Sequence, residues 1–166
     1  GFFLYGKDAE QLILRPKESY DNVVPSGNSA MAMNFLRLSR LTGKSEFEEK
    51  AMEQFKIFGK KVIENPPGHT YMLSAYLYAS STSKEIVLTG NLQKEEINSM
   101  ISFIHNDFRP FSSTILYSDN DREILDAAPF LENYKSVDGK ATAYICQNHS
   151  CMKPITDLNE FKEVLS

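Results

Sequence analysis

Between Arg15 and Asn28 the sequence RPKESYDNVVPSGN crowds polar and charged side chains around one aromatic ring. Arg15 and Lys17 could neutralise an anion. Glu18 and Asp21 could accept a proton, provided the surroundings bring the pKa near the working pH. Hydrogen-bonding groups beside Tyr20 suit a polar ligand such as a sugar. The competing description is a solvated loop closed by a salt bridge. Directly downstream, Gly27-Asn28-Ser29 echoes the nucleophile elbow G-x-S-x-G, but Met31 stands where the last glycine belongs and no strand leads into it. A phosphate cradle fails as well, because one glycine is no glycine-rich loop and no Gly-Lys-Ser/Thr follows. Ser26 or Asn28 is better explained as the cap of a helix, its side-chain oxygen accepting a backbone N–H.

A second cluster is CQNHSC, in which four residues, His149 among them, separate Cys146 from Cys151. The spacing is not C-x-x-C, so it lacks the thioredoxin redox geometry. Zinc wants four ligands and this cluster has three at most, so no metal is expected. Ordinary thiols, a reversible disulfide across a turn and a partial metal site all remain open.

These groups need positioning. The runs FFLYG and QLILRP, separated by KDAE, predict a β-hairpin. In NSAMAMNFLRLSRLTG, Met31, Phe35 and Leu38 recur at helical spacing, and Gly43 is the expected stop. The next segment opens with Ser45 and Glu48 in capping-box spacing. It places Phe47, Ala51, Phe55, Phe58 and Val62 on one face and ends at Pro66-Pro67. A third helix, HTYMLSAYLYASS, has little polar surface and is expected to be buried on most sides. Beyond Ser80 the pattern changes to strand–helix alternation: EIVLTG, a helix with Ile97, Ile101, Ile104 and Phe108 on one face, STILYS, a helix interrupted by Pro129, ATAYICQ, and a last helix opened by Asp157 and Glu160. The predicted fold is therefore mixed α and β, with antiparallel helices over residues 1–83. A small α/β unit over 84–166 carries a largely parallel three-stranded sheet.

The bulk composition narrows the function. With 42% hydrophobic and 24% charged residues, the 166-residue chain can bury a sizeable core. A formal charge of −4 and the lack of any Lys/Arg block argue against nucleic acid. No apolar run approaches the roughly 20 residues that span a bilayer. The start GFFLYGKDAE has no initiating Met and no signal-peptide pattern. With only two cysteines, the simplest expectation is a cytoplasmic protein cut from a longer chain.

The run LILRPKESYDNVVPSGNSAMAMNFLRLSRLTG, followed by VDGKATAYICQNHSCMKPITDLNEFKEVL, resembles the C-terminal part of the YyaL family. These are long thioredoxin-domain-containing proteins whose animal members are called spermatogenesis-associated. The resemblance implies the end of a helical toroid similar to six-hairpin glycosidases and N-acylglucosamine 2-epimerases, with an α/β tail. It puts the RPKESYDNVVPSGNS segment at the toroid's mouth. Arg15, Lys17, Glu18, Tyr20, Asp21, Ser26 and Asn28 match the family motif and become the ligand-binding candidates, while Cys146 and Cys151 match its cysteine pair. The expected function is to contribute part of a carbohydrate-binding cleft, without catalysis in isolation and without a cofactor. One alternative makes the whole protein a sugar epimerase or glycosidase-like enzyme. Another has the cysteine pair exchange with a thioredoxin-like domain. Expected partners are a carbohydrate and the remainder of the longer chain. Cut from that remainder, the piece is expected to self-associate through uncovered helix faces.

Overall fold

A computed structural model describes residues 1–10, 13–118, 121–147 and 150–166. The chain divides into two compact units, one of Gly1–Ser39 with Lys44–Ser81, the other of Arg40–Gly43 with Thr82–Ser166.

The first unit is built on three helices, α1 (Gly27–Thr42), α2 (Ser45–Glu64) and α3 (Thr70–Ser80). A 3-10 turn, Pro66–His69, joins the last two. α1 starts where Ser26 Oγ accepts the Ser29 N–H at 3.1 Å, which satisfies one of the orphan donors of a helix N-terminus. It stops before Gly43, whose φ of 70° is the left-handed conformation that ends helices. The buried face of α1 is Ala32, Met33, Phe35 and Leu36, while Leu38 is exposed, so the apolar stripe is rotated from the Met31–Phe35–Leu38 reading. α2 buries Ala51 and Phe58, with Phe47, Phe55 and Val62 half-buried on the same side. Its capping box does not form. The helix begins at Ser45 with Lys44 as N-cap, so Glu48 falls one position too late to reach back. Ring contacts reinforce the helix packing, Phe35 against Phe47 at 6.2 Å and Phe55 edge-on to Tyr76 at 5.5 Å.

Two expectations fail in this unit. α3 is not buried on most sides: Met72, Ala75 and Tyr78 point inward, but Leu73, Tyr76 and Leu77 are exposed, Tyr76 at 57%. The N-terminal β-hairpin does not form among the described residues. Gln11 and Leu12, which open its second strand, lie outside them. Across the rest there is one backbone hydrogen bond, Leu4 N–H to Pro16 O at 3.0 Å. Side chains tie the two runs instead: Tyr5 Oη donates to Leu14 O, and Arg15 donates to Tyr5 O at 2.9 Å. Ile13 and Leu14 are exposed and have no layer to pack on, so the alternation that suggests a strand has no buried face to enforce it.

The second unit holds β1 (Lys84–Thr89), α4 (Glu95–His105), β2 (Ser112–Tyr117), α5 (Arg122–Ala127), β3 (Thr142–Gln147), β4 (Ser150–Cys151) and α6 (Leu158–Leu165). A 3-10 turn, Pro129–Asn133, follows α5. The sheet among the described residues has four strands in the order β2-β1-β3-β4. β1 and β2 are parallel, but β3 runs antiparallel to β1, and β4 antiparallel to β3. The expected three-stranded, largely parallel sheet is therefore corrected to a four-stranded mixed one.

The reason lies in the β2–β3 connection. β2 ends at Tyr117 and β3 starts at Thr142, and both register with Thr89 at one end of β1. α5 stops after six residues at Ala128-Pro129. The chain re-enters the sheet at the end it left, so β3 runs antiparallel to β1.

Alternating side chains give the sheet two buried faces. Ile86, Leu88, Ala143 and Ile145 pack with Ile97, Met100, Ile104, Phe161 and Leu165 of α4 and α6. Val87 and Tyr117 pack on the opposite side with Ala128, Leu131 and partly buried Tyr134 and Tyr144. α6 is capped by Asp157, whose carboxylate accepts from Asn159 N at 2.8 Å and Glu160 N at 3.0 Å.

Candidate functional site

In the first unit, the segment before α1 lies against the α2–α3 connection. Asp21 makes the joint. Its backbone N–H donates to Gly68 O at 2.7 Å, and its carboxylate accepts from Ser26 N (2.8 Å), Tyr71 N (2.8 Å) and Met72 N (3.2 Å). One side chain thus holds the loop entering α1 and caps the first turn of α3 from a distance in sequence of 50 residues. Burial pushes the Asp21 carboxyl up. The hydrogen bonds from Ser26, Ser29, Tyr71 and Met72 together outweigh burial and leave it below its ordinary value.

Asn28 is a second tie. Its Oδ1 accepts from Phe2 N at 2.6 Å, and its Nδ2 donates to Phe2 O at 3.0 Å and Glu18 O at 2.6 Å. Asp21 and Asn28 are 8% and 4% exposed. Their polar atoms face backbone rather than a ligand. Ser29 is fully buried, which agrees with discarding it as a nucleophile.

On the solvent side of this joint an open recess of about 580 Å³ is lined by Lys17, Glu18, Ser19, Tyr20, Asn22 and, from the α2–α3 side, Lys61, Glu64, Asn65 and His69. Tyr20 is 56% exposed and lies edge-on to His69, ring centres 5.9 Å apart. The Tyr20 ring also lies across Gly68, where an added Cβ would come within 2.4 Å of a ring carbon. That close approach requires glycine. His69 is buried, its Nδ1 2.9 Å from Asn65 O and its Nε2 3.2 Å from Ser19 Oγ. A carbonyl only accepts, so Nδ1 carries a proton. In the neutral ring Nε2 is then the acceptor facing the Ser19 hydroxyl.

Of the seven ligand candidates, then, Lys17, Glu18 and Tyr20 line the recess. Arg15 turns away, its guanidinium stacked over Phe3 at 4.1 Å. Asp21, Ser26 and Asn28 hold the backbone behind the recess. Ser19, Asn22, Lys61, Glu64, Asn65 and His69 were not singled out from the sequence. Pro66-Pro67-Gly68 marks a turn there, but no local pattern says that this turn meets residue 19.

In the second unit Cys146 and Cys151 are joined in a disulfide between β3 and β4, where they stand opposite one another in the register. Of the three possibilities open for the pair, the disulfide is the one formed. His149 lies outside the described residues. Among the described residues no group of three His, Cys, Asp or Glu side chains is arranged to hold a metal. No helix among them is long and apolar enough to cross a membrane.

The chain thus combines three helices that present a polar recess with an aromatic wall and a mixed α/β unit that carries a cross-strand disulfide. Over 93% of its length the chain is 31% identical to spermatogenesis-associated protein 20 of Homo sapiens and 32% identical to that of Rattus norvegicus, covering 20% of each. It is 23% identical over its whole length to an uncharacterized protein of Caenorhabditis elegans, covering 22% of it. No protein-family model and no solved structure matches the chain. The chain belongs to the YyaL-like, thioredoxin-domain-containing family of spermatogenesis-associated protein 20. It spans about a fifth of the length of the curated relatives it matches.

Proposed function

We propose that this chain is the C-terminal part of a longer YyaL-like protein, and that its first unit supplies one wall of a carbohydrate-binding cleft at the mouth of a helical toroid. The observation that carries the reading is the recess walled by the exposed Tyr20 ring and rimmed by donors and acceptors from residues 17–22 and 61–69. An aromatic face takes the C–H side of a sugar ring, and the surrounding groups take its hydroxyls. Lys17 and Lys61 are balanced by Glu18 and Glu64, which favours a neutral polyol over an anion. The wall is not catalytic alone. A second reading, in which the longer protein isomerises or hydrolyses the sugar, draws on His69: its proton-accepting Nε2 reaches the recess through Ser19.

The outer residues of α3, Leu73, Tyr76 and Leu77, are where the rest of the longer chain packs. Without it, the chain self-associates through this face, and a strictly monomeric species in light scattering contradicts that assignment.

The test is saturation-transfer NMR with a panel of neutral monosaccharides and their phosphates, on the longer protein and on this chain. Tyr20→Ala should weaken binding about tenfold, as expected for loss of an aromatic contact worth roughly 1.4 kcal/mol. If no sugar shows transfer, or if Tyr20→Ala changes nothing, the cleft assignment is wrong.

A further inference from the structure

We propose that the Cys146–Cys151 disulfide is a dithiol–disulfide exchange site, entered at Cys151, with the Tyr134 hydroxyl holding the sulfur that leaves. The site lies in the second unit and is independent of the carbohydrate reading.

The two sulfurs differ in access. Cys146 is 6% exposed, in β3 on the sheet face that carries Tyr117 and Leu131. Cys151 is exposed on the two-residue edge strand β4. An incoming thiolate therefore meets the Cys151 sulfur first, and access is one of the factors that decides which sulfur is attacked.

Tyr134 stands over the pair. Its Oη is 3.2 Å from Cys151 Sγ and 3.6 Å from Cys146 Sγ. Neither sulfur of a disulfide carries a proton, so the phenol is the donor. It is also fixed in place: its ring packs edge-on against Phe130 and Tyr144, and the buried Tyr117 hydroxyl donates to its carbonyl. Burial, then the charge of Glu85 and the neighbouring Tyr144, push the Tyr134 phenol up, which keeps it a donor. Glu85, which faces Cys146 across the strands, is itself paired with Arg40 at 2.6 Å.

The exchange balances with an external dithiol as reductant. Its thiolate attacks Cys151 Sγ, a new intermolecular S–S bond forms, and the Cys146–Cys151 bond breaks. The electron pair goes to Cys146 Sγ, which leaves as a thiolate accepting the Tyr134 O–H and then takes a proton from water. The second thiol of the reductant attacks its own bonded sulfur and releases Cys151 as a thiolate. The reductant has lost two electrons and closed its own disulfide, and the chain holds two reduced cysteines. A protein dithiol of low reduction potential is the class of partner that fits.

The test uses three variants of the chain, with oxidised glutathione and dithiothreitol as probes and mass spectrometry after acid quench as the readout. Cys146→Ser, which leaves Cys151, should form its glutathione adduct at least about tenfold faster than Cys151→Ser, which leaves the covered sulfur. Tyr134→Phe keeps the ring packing and should slow reduction of the wild-type pair by dithiothreitol about tenfold, the effect of one lost hydrogen bond to a developing charge. Circular dichroism confirms that each variant is folded; if Tyr134→Phe is not, the two serine variants decide. Equal adduct rates in the serine variants, an unchanged reduction rate in folded Tyr134→Phe, or a pair that dithiothreitol cannot reduce without unfolding the chain would each overturn the proposal.

Discussion

Asp21→Ala is the most informative substitution in the first unit, because it separates a ligand-binding carboxylate from one that holds the backbone. Three N–H groups converge on this side chain, from Ser26, Tyr71 and Met72. Removing it uncaps α3, at a cost of about 1–2 kcal/mol. It also leaves the Ser26 donor without its acceptor, for about another 1–2 kcal/mol. The total of about 3 kcal/mol corresponds to roughly a hundredfold faster exchange of the Tyr71 and Met72 amides wherever they exchange by local opening. Hydrogen exchange read by NMR or mass spectrometry measures this directly, with urea unfolding alongside. Acid gives a second signature. The folded carboxyl titrates below its unfolded value, so its stabilisation is complete above the unfolded pKa of about 3.9 and is lost as pH falls through the folded one. Wild type should therefore lose this stability below about pH 4, and Asp21→Ala should lack that part of the acid transition. The reasoning is refuted if Asp21→Ala leaves amide exchange and stability unchanged while sugar binding disappears. Asp21 would then be a ligand contact and not a clamp.

Gly68→Ala forces the Tyr20 ring off the α2–α3 connection, since the new methyl would sit 2.4 Å from a ring carbon. Any sugar affinity should fall about as far as in Tyr20→Ala, roughly tenfold, and the Tyr20–His69 ring-current shift in the NMR spectrum should vanish. Asp157→Ala removes the acceptor for Asn159 and Glu160 at the start of α6 and should cost about 1 kcal/mol, read as a lower urea midpoint with the slope unchanged.

The helices of this protein are legible because their apolar spacing is enforced by burial: Ala51, Phe55, Phe58 and Val62 on α2, and Ile97 and Ile104 on α4. Ends and faces are less so. One residue of difference in where α2 begins is enough to cancel the capping box at Ser45 and Glu48. The outward Leu73, Tyr76 and Leu77 of α3 look like core in a sequence, because hydrophobicity reports what a helix can bury and not what is present to cover it. Strand positions in the second unit are readable from β-branched runs, but the direction of β3 depends on the end at which the long β2–β3 connection re-enters the sheet, which no local pattern records. β4, with two residues, is too short to carry any pattern. As for the site, Lys17, Glu18 and Tyr20 could be picked out by type. His69 could not, because only the tertiary fold brings it to Ser19, 50 positions away.

The stretch that follows β3 also governs how the sheet presents itself to other chains. On the outer side of β3 the available backbone groups are taken by irregular chain: Met152 N–H reaches Ile145 O at 2.9 Å, and Ala143 exchanges bonds of 2.8 and 2.9 Å with Ile155. The disulfide rivets the start of this covering segment to the strand beneath it. Open strand margins recruit further strands, and short or obstructed ones resist. Opening the rivet would loosen the cover over a margin rich in Ala143, Ile145 and Tyr144, and so couple the thiol state of the protein to its tendency to aggregate.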